Sequence, residues 1–458
     1  MQAANEGLRA LEGTPFLLVS AVKVILVFTV VMVVVAMLTL LERKVSAWMQ
    51  DRLGPNRVGP GGLLQPAADG LKNILKEETN PAEAHGVFFT LAPMLSIIPA
   101  LVTFAVIPFA SPLPTPWGVT GMIVADLPVG VLFLLAFSSL GVYGIVIAGW
   151  ASYNKYALLG GLRAGAQMIS YEIALGLSLM SVFFVTGNVG LPEVVYTQQS
   201  MNLWFALPFA VSFFFFWISC FAETNRLPFD LPEAESELVT GYHTEYSSMK
   251  FSMFFIAEYA HVLTVSALLA TLFLGGWDIP GWGGDDMLGF GPDGRWIGAD
   301  PAWWKTLLTF GAFALKTFFF IMVFMLVRWT VPRFRYDQVM DLGWKIMLPA
   351  ALAAVVVTAA TVLALDSAGD PFVRVGPQGE RGYLTLWGGL VLTVVNLVML
   401  AIVLWVMDRG RTLAGTGSLE EKRATARALA RRRAELRRVP VRPAPSPAPA
   451  SASTQRVG

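Results

Sequence analysis

Apolar stretches long enough to cross a lipid bilayer recur nine times along the chain. They lie near residues 16–41, 87–110, 127–150, 165–187, 203–222, 249–274, 306–327, 343–365 and 383–407. A transmembrane helix needs about 20 consecutive apolar residues, and no alternating strand pattern competes with helix here. The pattern therefore predicts an all-α, polytopic membrane protein with about nine transmembrane helices.

The two ends of the chain differ from the hydrophobic region at 16–407. Residues 1–15 form a short segment that mixes acidic and basic side chains. Residues 408–458 begin with a basic stretch and end in a Pro/Ala/Ser-rich stretch, a composition typical of disorder. We expect this tail to contact anionic lipid through its basic residues, or alternatively to bind a specific partner.

Basic residues between the predicted spans are unevenly distributed. If the odd-numbered helices end in the cytoplasm, the inside segments hold 26 of the 33 Lys and Arg residues and the outside loops hold four. The positive-inside rule then places the N-terminus outside and the C-terminus in the cytoplasm. We therefore expect a multi-pass protein of the bacterial plasma membrane.

Composition supports a bilayer environment and argues against several kinds of site. The chain is 55% hydrophobic and 14% charged, whereas soluble domains are about a quarter charged. A single cysteine, Cys220, cannot supply four thiolates to an iron–sulfur cluster, and the three histidines lack metal-ligand spacing. We expect no metal site, no covalently bound cofactor and no nucleic-acid partner.

The first inside loop, residues 42–81, carries a second helical pattern. Its Gly-Pro steps at 54–55 and 59–60 precede apolar residues at helical spacing: Leu63, Leu64, Ala67, Ala68, Leu71, Ile74 and Leu75. Charged residues, among them Asp69 and Lys72, fall on the other side. The pattern predicts an amphipathic helix in the membrane interface, the alternative being a loop that covers the bundle.

A dense group of acids occupies the inside segment at 223–250. Its members are Glu223, Asp230, Glu233, Glu235, Glu237 and Glu245, against Arg226 and Lys250. Such a run is ordinarily a solvated acidic face. Here the acids alternate with apolar residues and with Pro228 and Pro232. Desolvation and mutual repulsion raise the pKa values of carboxylates packed in this way, so that they can load and release protons near neutral pH.

Several ionisable residues fall inside or at the ends of predicted spans, where each charge costs a few kcal/mol. They are Glu42 and Arg43, Glu172, Glu258 with His261, and Lys316. Glu258 and His261 share a helix face because they are three residues apart. We expect Lys316 to have a buried acidic partner or to line a wet cavity. A structural ion pair, or a core histidine at His261, would satisfy the same cost without proton transfer.

Four stretches of the chain resemble a known family. They are ERKVSAWMQDRLGPNRVGPGGLLQPAADGLKNILKE, GWASYNKYALLGGLRAGAQMISYEIALGLSLM, FAETNRLPFDLPEAESELVTGYHTEYSSMKFSMFFIAEY and ALKTFFFIMVFMLVRWTVPRFRYDQVMDLGWKIMLP. They resemble, in order, the first cytoplasmic loop, the third loop with the fourth helix, the acidic loop with the sixth helix, and the seventh and eighth helices of one membrane protein family. That family is the H subunit of proton-pumping NADH:quinone oxidoreductase (respiratory complex I), the counterpart of mitochondrial NADH dehydrogenase subunit one. The resemblance covers about residues 16–365; the ninth span and the tail are less characteristic.

The resemblance implies a translocase subunit of the respiratory chain that forms the quinone entrance and tunnel. It assigns the tunnel or its junction with the buried acids to Glu42, Arg43, Ala47, Arg52, Ala68, Asp69, Arg226, Phe229 and Asp230. It assigns the proton route to Glu172, Glu223, Glu233, Glu235 and Glu258, to which the midplane Lys316 is added. The third span has no carboxylate, which leaves that link of the route open.

The resemblance also implies the partners and excludes strict catalysis by this chain. Quinone would be the substrate, and FMN and iron–sulfur clusters would reside in partner subunits, with peripheral-arm quinone-site subunits and small membrane subunits as neighbours. Two alternatives stay open: the related membrane subunit of an energy-converting hydrogenase and a secondary ion transporter. The long first loop with its amphipathic helix favours quinone, and internal repeats typical of transporters do not occur.

Overall fold

Membrane-length helices account for most of the fold. The computed structural model describes residues 13–231, 239–285, 287–290, 296–368, 373–374 and 383–409. Within these residues, eight helices are long and apolar enough to cross a bilayer. The prediction of an all-α polytopic membrane protein is confirmed.

Twelve α-helices and three short hairpins make up the described secondary structure. The helices are α1 Gly13–Met49, α2 Gln65–Leu75, α3 Gly86–Val102, α4 Gly130–Ala151, α5 Lys155–Thr186, α6 Leu191–Met201, α7 Ala210–Glu223, α8 Ser248–Phe273, α9 Trp303–Thr330, α10 Tyr336–Asp341, α11 Leu348–Ala368 and α12 Leu386–Arg409. A π-helix, Leu342–Met347, joins α10 to α11. The antiparallel hairpins pair β1 Ala110–Thr115 with β2 Gly118–Met122, β3 Met287–Phe290 with β4 Trp296–Gly298, and β5 Val373–Arg374 with β6 Tyr383–Leu384.

Each of the nine predicted apolar runs coincides with a helix, but the fifth run is shorter than expected. It corresponds to α7, which has 14 residues. At 1.5 Å per residue this helix is about 21 Å long, less than the ~30 Å of a bilayer core. The residues before it, 204–209, form turns instead of extending the helix.

The first loop contains the expected amphipathic helix, α2. Its apolar residues Leu71, Ile74 and Leu75 are all exposed. The opposite side is tied to the bundle, since Asp69 pairs with Arg43 of α1 and the Ser248 hydroxyl donates to the Asn73 and Lys76 carbonyls. The helix therefore presents an unpartnered apolar face beside the end of α1, as expected at a membrane interface.

Helix α8 is the centre of the bundle. Its most apolar stretch is 67% buried, whereas that of α12 is 11% buried. One side of α8 packs with α5, α6 and α7 in the largest apolar cluster, and another packs with α1, α3 and α9. Polar residues on α8 therefore lie among neighbouring helices and not against lipid.

The acidic loop packs closely against α5. A Cβ at Gly160 would lie 2.8 Å from the Cα of Gly241, so only glycine permits this approach. Further along α5, the Gln167 amide donates to the Ala222 and Phe229 carbonyls, at 2.8 Å each. These contacts hold the start of the loop at the ends of α7 and α8, where its charged residues meet those of α1.

Candidate functional site

Arg226 is the centre of a buried chain of ion pairs. Its Nη1 donates to Glu42 Oε2 of α1 at 2.7 Å, and its Nε lies 2.5 Å from Glu258 Oε1 of α8. The other oxygen of Glu42 pairs with Arg328 of α9. The guanidinium also lies 4.5 Å from the centre of the Tyr259 ring. Two arginines and two glutamates thus connect three helices and the acidic loop.

The charges in this chain compensate one another. Arg226 is 8% exposed and Glu42 is 7% exposed. Burial opposes the charge on Arg226, but Glu258 and Glu42 outweigh it, so the pKa of the guanidinium is raised above its usual value. Buried charges persist only when they are paired and hydrogen-bonded. A change of charge at one end of the ion-pair chain must therefore alter the strength of every ion pair along it.

An open pocket of about 400 Å³ lies at the Glu42–Arg328 end of the ion-pair chain. Four of the residues predicted for the quinone tunnel line it together: Glu42, Arg43, Ala47 and Arg52. The rest of its lining comes from Ser46, Leu53, Gly54, Pro55, Tyr259, Arg328 and Trp329. The pocket combines arginine and tyrosine donors with an apolar wall, and it lies where α1 leaves the bundle.

A second, smaller cavity of about 60 Å³ lies on the other side of Arg226 and Glu258. Glu223, Glu258 and His261 line it, together with small and hydroxyl residues of α3 and α4. This volume is enough for a few water molecules, each of which needs roughly 10–15 Å³. Glu258 belongs to this cavity and to the ion-pair chain, so it joins the two.

Glu223 and His261 form the second pair in this cavity. The Glu223 carboxylate is 7% exposed, and its Oε1 lies 3.4 Å from His261 Nε2. Although Glu223 lies three residues from Arg226 in sequence, Arg226 pairs with Glu42 and Glu258. Glu258 and His261 are three residues apart on one face of α8, as predicted. They connect the ion-pair chain of Arg226 with the Glu223–His261 pair.

Glu172 lies in the middle of α5, beside α4. Its Oε1 accepts a hydrogen bond from the Ser139 hydroxyl. Its carboxylate and that of Glu223 are also near enough to interact electrostatically. Three of the predicted proton-route residues, Glu172, Glu223 and Glu258, are therefore brought into one region of the bundle.

Phe229 and Asp230 have different surroundings from the pocket residues. Phe229 is buried, and its ring lies 5.4 Å from that of Tyr171 and 5.5 Å from that of Phe334. Asp230 Oδ2 accepts from Arg333 Nη2 at 3.0 Å. Neither residue lines the open pocket within the described part of the chain. Their contacts hold the acidic loop to α5 and to the segment after α9.

Ala68 and Asp69 support the open pocket from outside. They lie on α2 and are absent from the described lining. Asp69 Oδ2 accepts from Arg43 Nη1 at 2.5 Å, and Gln65 donates to its other oxygen at 2.9 Å. Asp69 thus orients a pocket arginine, while Ala68 is half-buried on the same helix.

Lys316 lies apart from Glu172, Glu223 and Glu258. Its Nζ donates to the Leu274 and Gly276 carbonyls, at 2.6 and 3.1 Å, and also to the Asp278 carbonyl. The ammonium lies 4.7 Å from the centre of the Trp204 ring. Glu258 and Leu274 are 16 residues apart along α8, which corresponds to about 24 Å. Backbone carbonyls and an aromatic ring therefore hold the ammonium directly, and two buried acids of the loop after α8, Asp278 and Asp285, act on it electrostatically.

Two residues predicted for the proton route, Glu233 and Glu235, lie outside the described residues. Three other residues of the site were missed by sequence reasoning: Tyr259, Arg328 and Ser139. Arg328 was visible as a basic residue at the end of a span, and Tyr259 as the neighbour of Glu258. Ser139 carries no charge, and nothing in its neighbourhood distinguishes it from a packing residue.

The fold and the site together define a polytopic membrane protein with buried, mutually paired charges. A family model described as NADH dehydrogenase matches residues 22–359. The second of the NADH-quinone oxidoreductase H subunits of Koribacter versatilis is 48% identical over 358 residues, covering 75% of this chain and 97% of that protein. The first of the H subunits of Cytophaga hutchinsonii is 46% identical over 348 residues, covering 76% and 98%.

The H subunit of the Leptospira biflexa enzyme is 47% identical over 342 residues, covering 73% of this chain and 92% of that protein. The chain therefore belongs to the NADH dehydrogenase family, as a membrane subunit of NADH-quinone oxidoreductase of the H type. The resemblance read from the four motifs is confirmed. Each of these relatives is named for an oxidoreductase and not for a hydrogenase or a transporter. The family match ends within α11, so α12 and the following residues lie beyond it.

Proposed function

We propose that this protein admits a lipid-soluble quinone to the open pocket and couples its reduction to proton transfer through the buried acids. One observation carries the proposal: the ion-pair chain Glu42–Arg226–Glu258 has one end in the open pocket and the other in the smaller cavity. The names of the relatives supply the substrate class.

The lining of the open pocket suits a quinone head group. Its two carbonyl oxygens need hydrogen-bond donors, which Arg43, Arg52 and Tyr259 provide. Its ring and tail need an apolar wall, which Ala47, Leu53 and Trp329 provide. The electrons would come from FMN and iron–sulfur clusters of partner subunits, so this chain binds and positions the quinone without carrying a redox group.

Coupling follows from charge balance along the ion-pair chain. Reduction of a quinone to a quinol takes up two electrons and two protons, so negative charge develops near Glu42 and its arginines before the protons arrive. Arg226 then interacts less strongly with Glu258, because the new charge competes for its guanidinium. Glu258 becomes more basic and takes a proton from the His261–Glu223 pair. Glu223, having lost its proton, takes one from Glu172, and the missing proton is replaced from further along the bundle.

Glu223→Gln tests the coupling because it keeps the size of the side chain and removes its charge. We expect assembled enzyme with strongly reduced quinone turnover and proton pumping, and near-normal reduction of a water-soluble acceptor at the flavin. His261→Gln is the companion variant and should resemble it. Wild-type turnover and pumping in both variants would refute the proposed route through this pair.

Ala47 and Ala68 test the quinone pocket as a matched pair. Ala47 is 2% exposed and lines the pocket, whereas Ala68 lies on α2 outside the described lining. A leucine at Ala47 should fill part of the pocket and lower quinone reductase activity about tenfold or more, an effect of about 1.4 kcal/mol. A leucine at Ala68 should have a smaller effect. Equal loss of quinone and soluble-acceptor activity would indicate failed assembly instead.

We also propose that the ion-pair end of the bundle faces the cytoplasm. The basic asymmetry of the sequence carries this orientation. A tag at residue 458 should then be inaccessible to an impermeant reagent in intact cells and accessible after lysis. Labelling of that tag in intact cells would reverse the assignment.

A further inference from the structure

Helix α4 adjoins two of the carboxylates of the predicted proton route but contributes none. Its 22 residues contain no Asp or Glu, and its one large polar side chain, Tyr143, is 62% exposed. Glu172 on α5 and Glu223 on α7 both meet α4 at the same level, at residues 138 and 139.

Ser139 faces Glu172. Its hydroxyl donates to Glu172 Oε1 and lies 2.9 Å from the Leu135 carbonyl of its own helix. A serine hydroxyl has one proton and two lone pairs, so it can donate one hydrogen bond while accepting another. The contact with Glu172 therefore leaves Ser139 able to accept a proton from a neighbouring group.

Ser138 faces the opposite direction, into the cavity of Glu223. Adjacent helical residues are turned by about 100°, so the two serines point to different neighbours. Ser138 is 7% exposed and lines the cavity with Glu223, Glu258 and His261. Its hydroxyl donates to the Leu135 carbonyl at 3.0 Å and shares the cavity with the Glu223 carboxylate, with which it interacts. The two serines thus place one hydroxyl beside each acid, Ser138 beside Glu223 and Ser139 beside Glu172.

We propose that Ser138 and Ser139 form a hydroxyl relay between Glu223 and Glu172, taking the place of a carboxylate on α4. The inference rests on the proposed proton route. Once Glu223 has lost its proton toward Glu258, a protonated Glu172 gives its proton to the Ser139 oxygen, and Ser139 releases its own hydroxyl proton to a water that bridges the two serines, whose hydroxyls both lie within 3.0 Å of the Leu135 carbonyl oxygen. Ser138 then takes a proton from that water and gives its hydroxyl proton to Glu223. Both serines and the water end as they began, and one proton has moved.

A neutral relay suits this position. Glu172 and Glu223 already interact electrostatically, and a third negative charge beside them on α4 would add like-charge repulsion in a desolvated region. A hydroxyl carries no charge and costs far less than a carboxylate inside the membrane. Helix α4 can therefore join the two acids without changing the charge balance of the site.

The test compares Ser139→Ala with Ser139→Thr in the assembled enzyme. The alanine removes the hydroxyl, whereas the threonine keeps it at the cost of one methyl group. We expect Ser139→Ala to lower proton-coupled quinone turnover about tenfold, as for the loss of a hydrogen bond to a charged group. Ser139→Thr should restore at least half of the wild-type rate, which a purely structural role of the side chain would not predict.

Ser152→Ala is the matched control. Ser152 is a buried serine at the other end of α4, and its hydroxyl bonds to the Ala148 carbonyl of the same helix. This variant should keep wild-type turnover. Reduction of a soluble acceptor at the flavin should be unchanged in all three variants, which establishes that the complex is assembled.

The outcomes separate this inference from the proposed function. If Glu172→Gln impairs pumping but Ser139→Ala and the double variant S138A/S139A do not, the relay is wrong and the acidic route stands. If Glu172→Gln and Glu223→Gln both keep wild-type pumping, the route itself fails and the relay fails with it. Impaired Ser139→Ala without rescue by Ser139→Thr also overturns the relay, since the hydroxyl would then be irrelevant.

Discussion

The two deep cations of the bundle, Arg226 and Lys316, are held by different chemistry. Arg226 is paired with two carboxylates, and a third charge, Arg328, adjoins the same chain. Lys316 is held by three backbone carbonyls and an aromatic ring. Both arrangements stabilise a charge in a medium of low dielectric, but the acceptors bonded to Arg226 can gain or lose protons, whereas the carbonyl oxygens bonded to Lys316 cannot.

The difference teaches where a proton route can run. The acceptors bonded to Lys316 are carbonyl oxygens, which do not titrate, and its acidic neighbours Asp278 and Asp285 belong to the loop after α8, apart from the acids around Arg226. Each carboxylate next to Arg226 has a second ionisable neighbour whose interaction with it can change in turn: Arg328 for Glu42, and the Glu223–His261 pair for Glu258. An ionisable residue in a membrane span is therefore a weak indicator of proton transfer by itself, and the ionisable groups around it decide the question.

Removing Arg226 should have the largest effect. Arg226→Met leaves Glu42 and Glu258 without their shared partner, and breaking a buried pair in this way costs about 3–5 kcal/mol. We expect little assembled protein, measured as its amount in isolated membranes. The triple variant R226M/E42Q/E258Q removes the uncompensated charges and should recover much of that amount. If R226M alone accumulates normally, Arg226 does not hold these helices together.

Replacing Lys316 should have an intermediate and different effect. Lys316→Met leaves the carbonyls of Leu274, Gly276 and Asp278 without their donor, at a cost of about 1–3 kcal/mol. We expect lower heat stability of the protein in detergent but an unchanged ratio of protons pumped to electrons transferred. Proton pumping measured in vesicles provides the check. A lowered ratio at normal stability would place Lys316 back on the proton route.

The smallest effect should come from Glu193, a half-buried acid on α6 outside the spans. Burial raises the pKa of Glu193. The folded protein therefore binds this proton more tightly than the unfolded chain, and the stability attributable to this group rises as pH falls through the raised pKa.

Glu193→Gln should accordingly stabilise the protein slightly at neutral pH, and the gain should disappear at acidic pH. Thermal unfolding of the two proteins in detergent at several pH values measures the difference. A stabilisation that is independent of pH would show that the charge of Glu193 is not its cause.

Much of the fold was predictable because the bilayer imposes length and polarity on each element separately. The nine apolar runs and the amphipathic helix at 65–75 are local patterns, and each corresponds to a helix. The shortness of α7 was not predictable in this way. Its apolar run continues to residue 203, but Pro208 cannot continue a helix from within it, and residues 204–209 form turns.

The candidate site was predictable as a set of residues but not as a set of pairs. Polarity alone singled out Glu42, Glu223 and Glu258, because charges in spans are expensive. Their partners depend on which helices adjoin, and no local pattern records that. Glu223 lies three residues from Arg226 in sequence yet pairs with His261, and Lys316 bonds to carbonyls whose availability only the loop after α8 determines.

The long sequence separations within the ion-pair chain have a consequence for synthesis of the protein. Glu42 pairs with residues that follow it by 184 and 286 positions. At ~5–20 residues per second, roughly 15 to 60 s pass between translation of Glu42 and that of Arg328. Until Arg226 has been made, the carboxylate at the end of the first helix must stay in contact with water or remain protonated. The membrane bundle can close fully around Glu42 only when helix α9 has been inserted, and a chain that stalls before Arg226 exposes an unpaired acid at the membrane surface.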